Sequence, residues 1–297
     1  MKLLLKLLTV VVMVFSVHEC IMAQRQIGQL EPEALYDEAL MLYENHHYGA
    51  AIELFGEYLE KTEGLNDQKM VAAQFYEAAS ALYLDNGNGE QMITDFVNNN
   101  STSPLAVDAN FLYANLLFKN KKYRDAIKVY DKIEESDLDD NEISEYQFKK
   151  ALCYYNTNNI DAAEPLFFKA SVNDGAYKVD AQYYYAHIQY VNDNLDDAVF
   201  HFEKIKNNPK YNKIVPLYLL QIDFDKGNYE AVTQSCDKVY ILADKRRKSD
   251  VALMAAESWF QLKDYAKSLE YFNMARENSK RAFPREVEFR IGFCKMK

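Results

Sequence analysis

The chain has 297 residues, with 34 lysines and arginines against 45 aspartates and glutamates, and a formal net charge of −11. This acidic balance disfavours nucleic acid as a partner, because phosphates need a basic surface. The four cysteines have no short paired spacing that would indicate a disulfide framework or a zinc site, and the nine glycines form no phosphate-binding loop.

The first 23 residues have the pattern of a secretory signal peptide. Lys2 and Lys6 precede an apolar core from Leu7 to Val17, and a polar stretch then ends at the small residue Ala23. The core has about half of the ~20 residues that a membrane-spanning helix needs. The pattern therefore predicts an exported protein that is cut after Ala23 and keeps no stable membrane span.

Cys20 provides an alternative, because bacterial lipoproteins are cut just before a cysteine at the end of the leader. Such signals resemble a pattern with a small residue directly before the cysteine, whereas Glu19 is bulky and charged. Cleavage after Ala23 would remove Cys20 and leave residues 24–31 as a short N-terminal linker. The sequence leaves lipidation of Cys20 open beside this prediction.

Residues 111–133 predict two amphipathic helices joined by a polar turn at Asn120 to Lys122. Apolar residues fall at helical spacing at Phe111, Ala114, Leu117 and Phe118 in the first helix, and at Tyr123, Ala126, Ile127 and Tyr130 in the second. Neither helix can bury its apolar side alone. Because Ala114 and Ala126 are small enough to let the backbones approach, the stretch predicts a helical hairpin.

The same arrangement recurs along the chain, with the small residue Ala114 as its anchor. Successive anchors are 34 to 39 residues apart and lie at Ala39, Ala78, Ala114, Ala151, Ala186, Leu220, Ala256 and Gly292. A repeat period in the thirties is typical of a solenoid, in which each unit buries its apolar side against its neighbours.

This pattern resembles the tetratricopeptide repeat family, whose helical hairpin of about 34 residues has small or aromatic residues at set positions. The seventeenth position holds Tyr48, Tyr123, Ile160, Leu195, Tyr229 and Tyr265; the twentieth holds Ala51, Ala126, Ala163 and Ala198; the twenty-fourth holds Phe55, Tyr130, Phe167, Phe202 and Phe272. The resemblance covers residues 32–297. It implies an all-α, right-handed superhelical solenoid of about seven hairpins plus a final helix.

Two repeats depart from the pattern. In the second repeat Glu90 stands where alanine is expected, and the glycine-rich turn before it predicts a short second helix of about residues 90–99. In the sixth repeat Leu220, Val232 and Cys236 replace the usual small and aromatic residues.

Two further features leave alternatives open. Pro165 lies inside the second helix of the fourth repeat, so that helix either starts late, near Asp161, or kinks. Residues 284–297 have the pattern of a first helix without its partner. They predict either a capping helix or a solenoid that continues beyond Lys297.

We find no catalytic constellation in the sequence, and we expect no enzyme activity, cofactor or metal site. His187 and His201 are predicted on helices without a carboxylate or cysteine at ligand spacing, which favours solvated or packing roles. Trp259, the only tryptophan, falls at an inner helix position that predicts a place in the core.

The family resemblance implies that the first helix of each repeat lines a concave groove. The candidate partner-binding residues are Asp108, Phe111, Asn115, Phe118, Glu145, Phe148, Tyr155, Asp180, Tyr183, His187 and Tyr190. An acidic margin beside aromatic rings suits an extended or helical peptide that carries lysine or arginine. In the alternative interpretation the rings only pack between hairpins, and the acids only interact with helix dipoles.

These features predict a non-enzymatic interaction scaffold in the envelope of a gram-negative bacterium, in the periplasm or on the periplasmic side of the outer membrane. Its expected partner is a protein or peptide, with a basic character and association with an envelope complex as further expectations. The family's site for anionic peptide tails needs lysine or arginine and asparagine at groove positions. Only Asn115 is of such a residue type here, so this function is disfavoured. The alternatives are the sensor portion of a longer protein with a downstream effector domain, and a binder of solutes or glycans.

Overall fold

The computed structural model describes residues 31–64, 67–279 and 282–297. Within these residues all regular secondary structure is helical, with 15 α-helices and one short 3₁₀ helix. None of these helices is long and apolar enough to cross a membrane. The predicted signal peptide, Cys20 and residues 24–30 of the predicted linker lie outside the described residues.

The chain forms two compact units, which divide between Asp139 and Asp140. The N-terminal unit contains α1 (Pro32–Glu44), α2 (Tyr48–Lys61), α3 (Gln68–Tyr83), α4 (Gly89–Asn99), α5 (Ala106–Lys119), α6 (Tyr123–Tyr130) and the 3₁₀ helix (Glu135–Asp137). The C-terminal unit contains α7 (Asp140–Asn156), α8 (Ile160–Val172), α9 (Lys178–Val191), α10 (Leu195–Ile205), α11 (Val215–Asp225), α12 (Tyr229–Leu242), α13 (Lys248–Gln261), α14 (Tyr265–Asn278) and α15 (Arg285–Met296).

Consecutive helices pack against each other in pairs, from α1 with α2 to α13 with α14, and α15 packs on α14. Most pairs are joined by a turn of three residues, which is short enough to make the two helices antiparallel neighbours. The predicted all-α fold of tetratricopeptide-type helical hairpins is confirmed in both units.

The small residues of the repeat lie between the paired helices. Ala114 and Ala126 are fully buried in the α5–α6 hairpin, and Ala151 and Ala163 are fully buried in the α7–α8 hairpin. The rings at the twenty-fourth position, which are Phe55, Tyr130, Phe167, Phe202 and Phe272, are also fully buried. Small residues bring the backbones close, and large rings fill the space on either side.

The first helix of each hairpin ends in a Schellman motif. In the α5–α6 turn the Lys121 N–H donates to the Phe118 carbonyl and the Lys122 N–H donates to the Leu117 carbonyl, both at 2.9 Å. The motif needs one left-handed residue, and positive φ angles occur at His46, Asp85, Lys121, Asn158, Asp193, Gly227 and Lys263. Each of these residues lies seven positions after a predicted anchor, so the turns give independent support for the repeat register.

The second repeat differs from its predicted register by one residue. Gly89, and not Glu90, is the residue of α4 that lies against the backbone of α3. A Cβ on Gly89 would meet the Ala81 backbone carbon and the Leu82 nitrogen at 2.9 Å. Four residues later, Ile93 is fully buried where other repeats have a ring. Glu90 is thereby rotated toward solvent, where it accepts a hydrogen bond from Lys122 Nζ at 2.8 Å. The predicted short second helix is confirmed as α4.

The second helix of the third repeat, α6, ends earlier than the sequence predicts. The apolar pattern extends to Ile133, but α6 stops at Tyr130. The N–H groups of Lys132 and Ile133 instead donate to the carbonyls three residues back, both at 3.1 Å. Ile133 still reaches the core, where it is 4% exposed.

Pro165 lies inside α8. This helix begins at Ile160, one residue before the predicted start near Asp161. The Asn159 side chain caps this helix by accepting a hydrogen bond from the Ala162 N–H at 3.3 Å. Pro165 cannot donate to the Asp161 carbonyl, so the missing backbone bond falls in the first turns of the helix.

Candidate partner-binding surface

The four candidate residues of the N-terminal unit lie on α5 and are largely engaged in its own hairpin. Phe111 is 6% exposed. Asn115 Oδ1 accepts a hydrogen bond from the Tyr130 hydroxyl at 2.7 Å, and the Phe118 ring lies 6.0 Å from the ring of Tyr123. Asp108 is half-buried, and burial raises the pKa of its carboxyl above the ordinary value. These side chains therefore contribute mainly to the packing of α5.

The two acidic candidates of the C-terminal unit already have cationic or hydroxyl partners. Glu145 on α7 accepts a hydrogen bond from Lys149 one turn later. Asp180 on α9 accepts from Lys210 Nζ at 2.7 Å and from the Tyr211 hydroxyl at 2.5 Å. Burial, and then this bond to Asp180, raise the pKa of Tyr211. Both carboxylates thus contribute to the structure of the unit.

The aromatic candidates of α7 and α9 are connected through Tyr184, a ring that the sequence analysis did not single out. The Tyr184 ring stacks on Phe167 at 5.1 Å and lies 5.5 Å from Tyr155 and 6.1 Å from Phe148. Its neighbour Tyr183 lies 5.5 Å away and begins the second part of the cluster. The structure therefore brings the α7 and α9 candidates together in one set of contacting rings.

Two more tyrosines that the sequence analysis missed complete this set. Tyr211 comes from the α10–α11 connector and stacks on Tyr183 at 4.5 Å. Tyr218 on α11 stacks on Phe202 at 5.0 Å and lies 5.6 Å from His187 and 5.3 Å from Tyr190.

We define the tyrosine face as five of the partly exposed rings of this set, which are Tyr155, Tyr183, His187, Tyr190 and Tyr218. Burial lowers the pKa of His187, so its imidazole is neutral at neutral pH. Burial also raises the pKa values of Tyr183 and Tyr190, which keeps their phenols protonated. The tyrosine face is therefore an uncharged surface that offers ring edges, ring faces and hydroxyl groups.

The prediction that His201 lacks a carboxylate at ligand spacing is wrong. Asp197 lies one turn before it on α10, and His201 Nε2 is 3.9 Å from Asp197 Oδ1. The other Asp197 oxygen accepts a hydrogen bond from the Tyr185 hydroxyl at 2.8 Å. Burial lowers the pKa of His201, which disfavours its charged form. Within the described ranges no group of three or more histidine, cysteine or acidic side chains has a metal-binding arrangement.

Trp259 is partly buried and packs against the core of the last repeats. Lys267 Nζ lies over its ring at 4.0 Å from the centroid. This cation–π contact occupies one face of the Trp259 ring.

These features define the chain as a protein of repeated α-helical hairpins. Residues 89–143 match the tetratricopeptide repeat, which confirms the predicted resemblance to this family. No curated protein matches the sequence.

Several solved structures are similar to this chain. A tetratricopeptide repeat protein from Parabacteroides merdae is 14% identical, with 89% of this chain and 98% of that chain covered and a TM-score of 0.46. The C-terminal part of a repeat-containing protein from Cytophaga hutchinsonii is 12% identical, with coverage of 93% and 92% and a TM-score of 0.45. The apo form of the quorum sensor NprR from B. thuringiensis is 13% identical, with coverage of 88% and 81% and a TM-score of 0.46.

Proposed function

We propose that this protein is a non-enzymatic interaction scaffold that holds a protein or peptide partner against the tyrosine face. The observation that carries this proposal is that the partly exposed rings of the tyrosine face are held in place by contacts with other aromatic rings. Tyr218, for example, is held by its stack on the buried Phe202 and by the edges of His187 and Tyr190. Tetratricopeptide repeats, matched at residues 89–143, support a protein-binding role.

Fixed aromatic side chains suit a binding surface for energetic reasons. A tyrosine offers a large contact area and a hydroxyl group, and it loses little conformational entropy when its ring is already held. Tyrosine is also enriched among the residues that dominate binding free energies. A partner on this surface can bury its apolar side chains against the rings and pair its polar groups with the hydroxyls.

We extend the proposal to a basic partner in the bacterial envelope. Lys210 is 63% exposed in its pair with Asp180, so a lysine or arginine of the partner can replace it. The leader at residues 1–23, with its lysines and apolar core, supports export. A periplasmic scaffold, alone or in an envelope complex, accounts for both features.

The test is a pull-down from envelope extract with the wild-type protein and a His187→Ala/Tyr190→Ala variant. The double variant removes two rings of the tyrosine face, so we expect it to lose at least about 2 kcal/mol of binding free energy and to fail in capture. Val191→Ala is the matched control, because Val191 follows Tyr190 on α9 and is 67% exposed. The control should capture as the wild type does.

Thermal unfolding separates lost binding from lost folding. Tyr155→Ala, at the other end of the tyrosine face, gives a second variant in case the double variant melts early. Unchanged capture by folded forms of both variants would show that the partner binds elsewhere.

A further inference from the structure

The sixth repeat has an unusual interface between its two helices, α11 and α12. Leu220 and Val232 stand where the other repeats have alanine or another small residue, and both are fully buried. A leucine and a valine need more room than two alanines, so the two helices cannot approach in the usual way. Beside this interface the C-terminal unit has a cleft of about 340 Å³ between the end of α10, α11 and α12.

The floor of this cleft is apolar. Pro216, Leu219, Val239 and Leu242 line it. Pro216, Leu219 and Asp223 follow at spacings of three and four residues, so they share one side of α11. None of the tyrosine-face residues lines the cleft, which makes it a separate feature of the unit.

The rim of the cleft is polar and has unused hydrogen-bonding groups. Glu203 and Lys206 are paired with each other at 2.5 Å. Lys238 and the side-chain amides of Asn207 and Asn212 also line the cleft, and they make no side-chain hydrogen bond or ion pair with any described residue. Asp223 accepts one hydrogen bond, at 3.2 Å from Asn228 Nδ2, through its Oδ1 atom. A cation, a carboxylate oxygen and two amides therefore remain available around an apolar floor.

The size of the cleft limits the ligand to a small molecule. Small-molecule sites have volumes of roughly 300 to 1,000 Å³, and this cleft lies at the lower end of that range. At about 30 Å³ for each water-sized group, it holds on the order of ten non-hydrogen atoms. That is the size of an amino acid or a dipeptide.

We infer that this cleft binds a small amino-acid zwitterion with an apolar side chain. The Lys238 ammonium pairs with the ligand carboxylate, the Asp223 carboxylate pairs with the ligand ammonium, and the apolar side chain lies on Leu219 and Leu242. Asn207 and Asn212 supply amide groups to the remaining polar atoms. The opposite charges on the rim distinguish this ligand from a simple anion or cation.

Equilibrium dialysis of the full-length protein with radiolabelled L-leucine and glycyl-L-leucine tests this inference. We expect saturable binding of at least one probe, at one molecule for each chain. Leucinol lacks the carboxylate and 4-methylpentanoate lacks the ammonium group, so each should compete about tenfold or more weakly than leucine. Absence of saturable binding by both probes overturns the inference, and so does equal competition by either analogue.

Variants of the rim locate the site. Lys238→Met and Asp223→Asn should each weaken binding by about tenfold or more, because each removes a charged hydrogen-bonding group. Ser235→Phe should abolish binding by filling the cleft, which Ser235 lines. Lys213→Met is the control, because Lys213 is an exposed lysine of the neighbouring connector that does not line the cleft. Wild-type affinity in a folded Lys238→Met variant would overturn the assignment, whatever the result of the pull-down at the tyrosine face.

Discussion

In every hairpin but α11–α12, which has Gly227, one left-handed backbone position has a steric cost that the amino-acid composition does not reveal. Lys121 has a φ of 58°, in the left-handed region. A side chain with a Cβ costs about 1–2 kcal/mol in that region, whereas glycine loses about 0.5–1 kcal/mol through its freedom in the unfolded chain. Lys121→Gly should therefore raise the free energy of unfolding by about 0.5–1 kcal/mol. Urea denaturation measures this change.

The neighbouring residue provides the control for that substitution. Lys122 has a φ of −79°, which a side chain adopts without strain. Lys122→Gly should lower the free energy of unfolding, because it adds conformational freedom to the unfolded chain and removes the hydrogen bond of Lys122 to Glu90. If both glycine variants change the stability in the same direction, the left-handed residue is not the source of the effect.

The sequence alone predicts the residues that must be small, but it does not predict these turns. Ala114 and Ala126 are visible because their size repeats with the period of the hairpin. The left-handed positions are held by different residue types, including His46 and Asn158, and only Gly227 has the residue type that usually marks them. These positions can be recognised in the sequence only by their distance of seven residues from each anchor, and not by the type of residue that they hold.

At the scale of the helix pair, Gly89 sets how closely α3 and α4 approach. Gly89→Ala would place a Cβ 2.9 Å from the backbone of Ala81 and Leu82, and two packed helices cannot move apart without loss of contacts. We expect a loss of about 1–3 kcal/mol in the free energy of unfolding. The matched control is Gly87→Ala, because a Cβ on Gly87 meets no atom within 4 Å.

Hydrogen exchange of the two glycine variants gives the location of the effect. Gly89→Ala should reduce protection in α3 and α4 and in the neighbouring hairpins, because adjacent repeats share their packing interfaces. Gly87→Ala should leave protection in α3 unchanged. Equal protection in both variants would mean that Gly89 is not the point of closest approach.

Element boundaries were the part of the fold that the sequence predicted least well, for physical reasons. Two glycines at positions 87 and 89 make the turn of the second repeat compatible with more than one register, and only the contact of Gly89 with the α3 backbone selects one. The early end of α6 has no proline or glycine to mark it. Ile133 fits the helical spacing and is buried, yet its N–H bonds three residues back instead of four.

At the scale of the whole molecule, the candidate surface was only partly predictable. Tyr155, Tyr183 and Tyr190 lie at repeat positions that the family resemblance assigns to a groove. Tyr211 comes from a connector, which has no place in the repeat frame, and it reaches Tyr183 only because the chain folds back over α9. Likewise, the ion pair of Asp180 with Lys210 joins residues 30 positions apart and has no local signal in the sequence.

The acidic residues allow a test of the proposed basic partner. Glu145 and Asp180 lie near the N-terminal ends of α7 and α9, and Asp180 falls in the first turn, where a negative charge interacts with the helix dipole by about 0.3–1 kcal/mol. If they serve only the dipole and their own partners Lys149 and Lys210, their neutralisation lowers stability slightly and leaves partner capture intact. If they also attract a basic segment, their neutralisation slows association and weakens its dependence on salt.

We expect the second outcome for the variant Glu145→Gln/Asp180→Asn, since each amide keeps the shape of the side chain and removes its charge. The measurement is the association rate of the captured partner at two salt concentrations, with thermal unfolding to confirm that the variant is folded. Asp250→Asn is the control, because Asp250 is also an acidic residue in the first turn of a first helix, α13, but α13 contributes no ring to the tyrosine face. The control should lose the dipole stabilisation of one carboxylate and associate at the wild-type rate. Unchanged association by the folded double variant would rule out the basic partner and leave the uncharged rings of the tyrosine face as the binding surface.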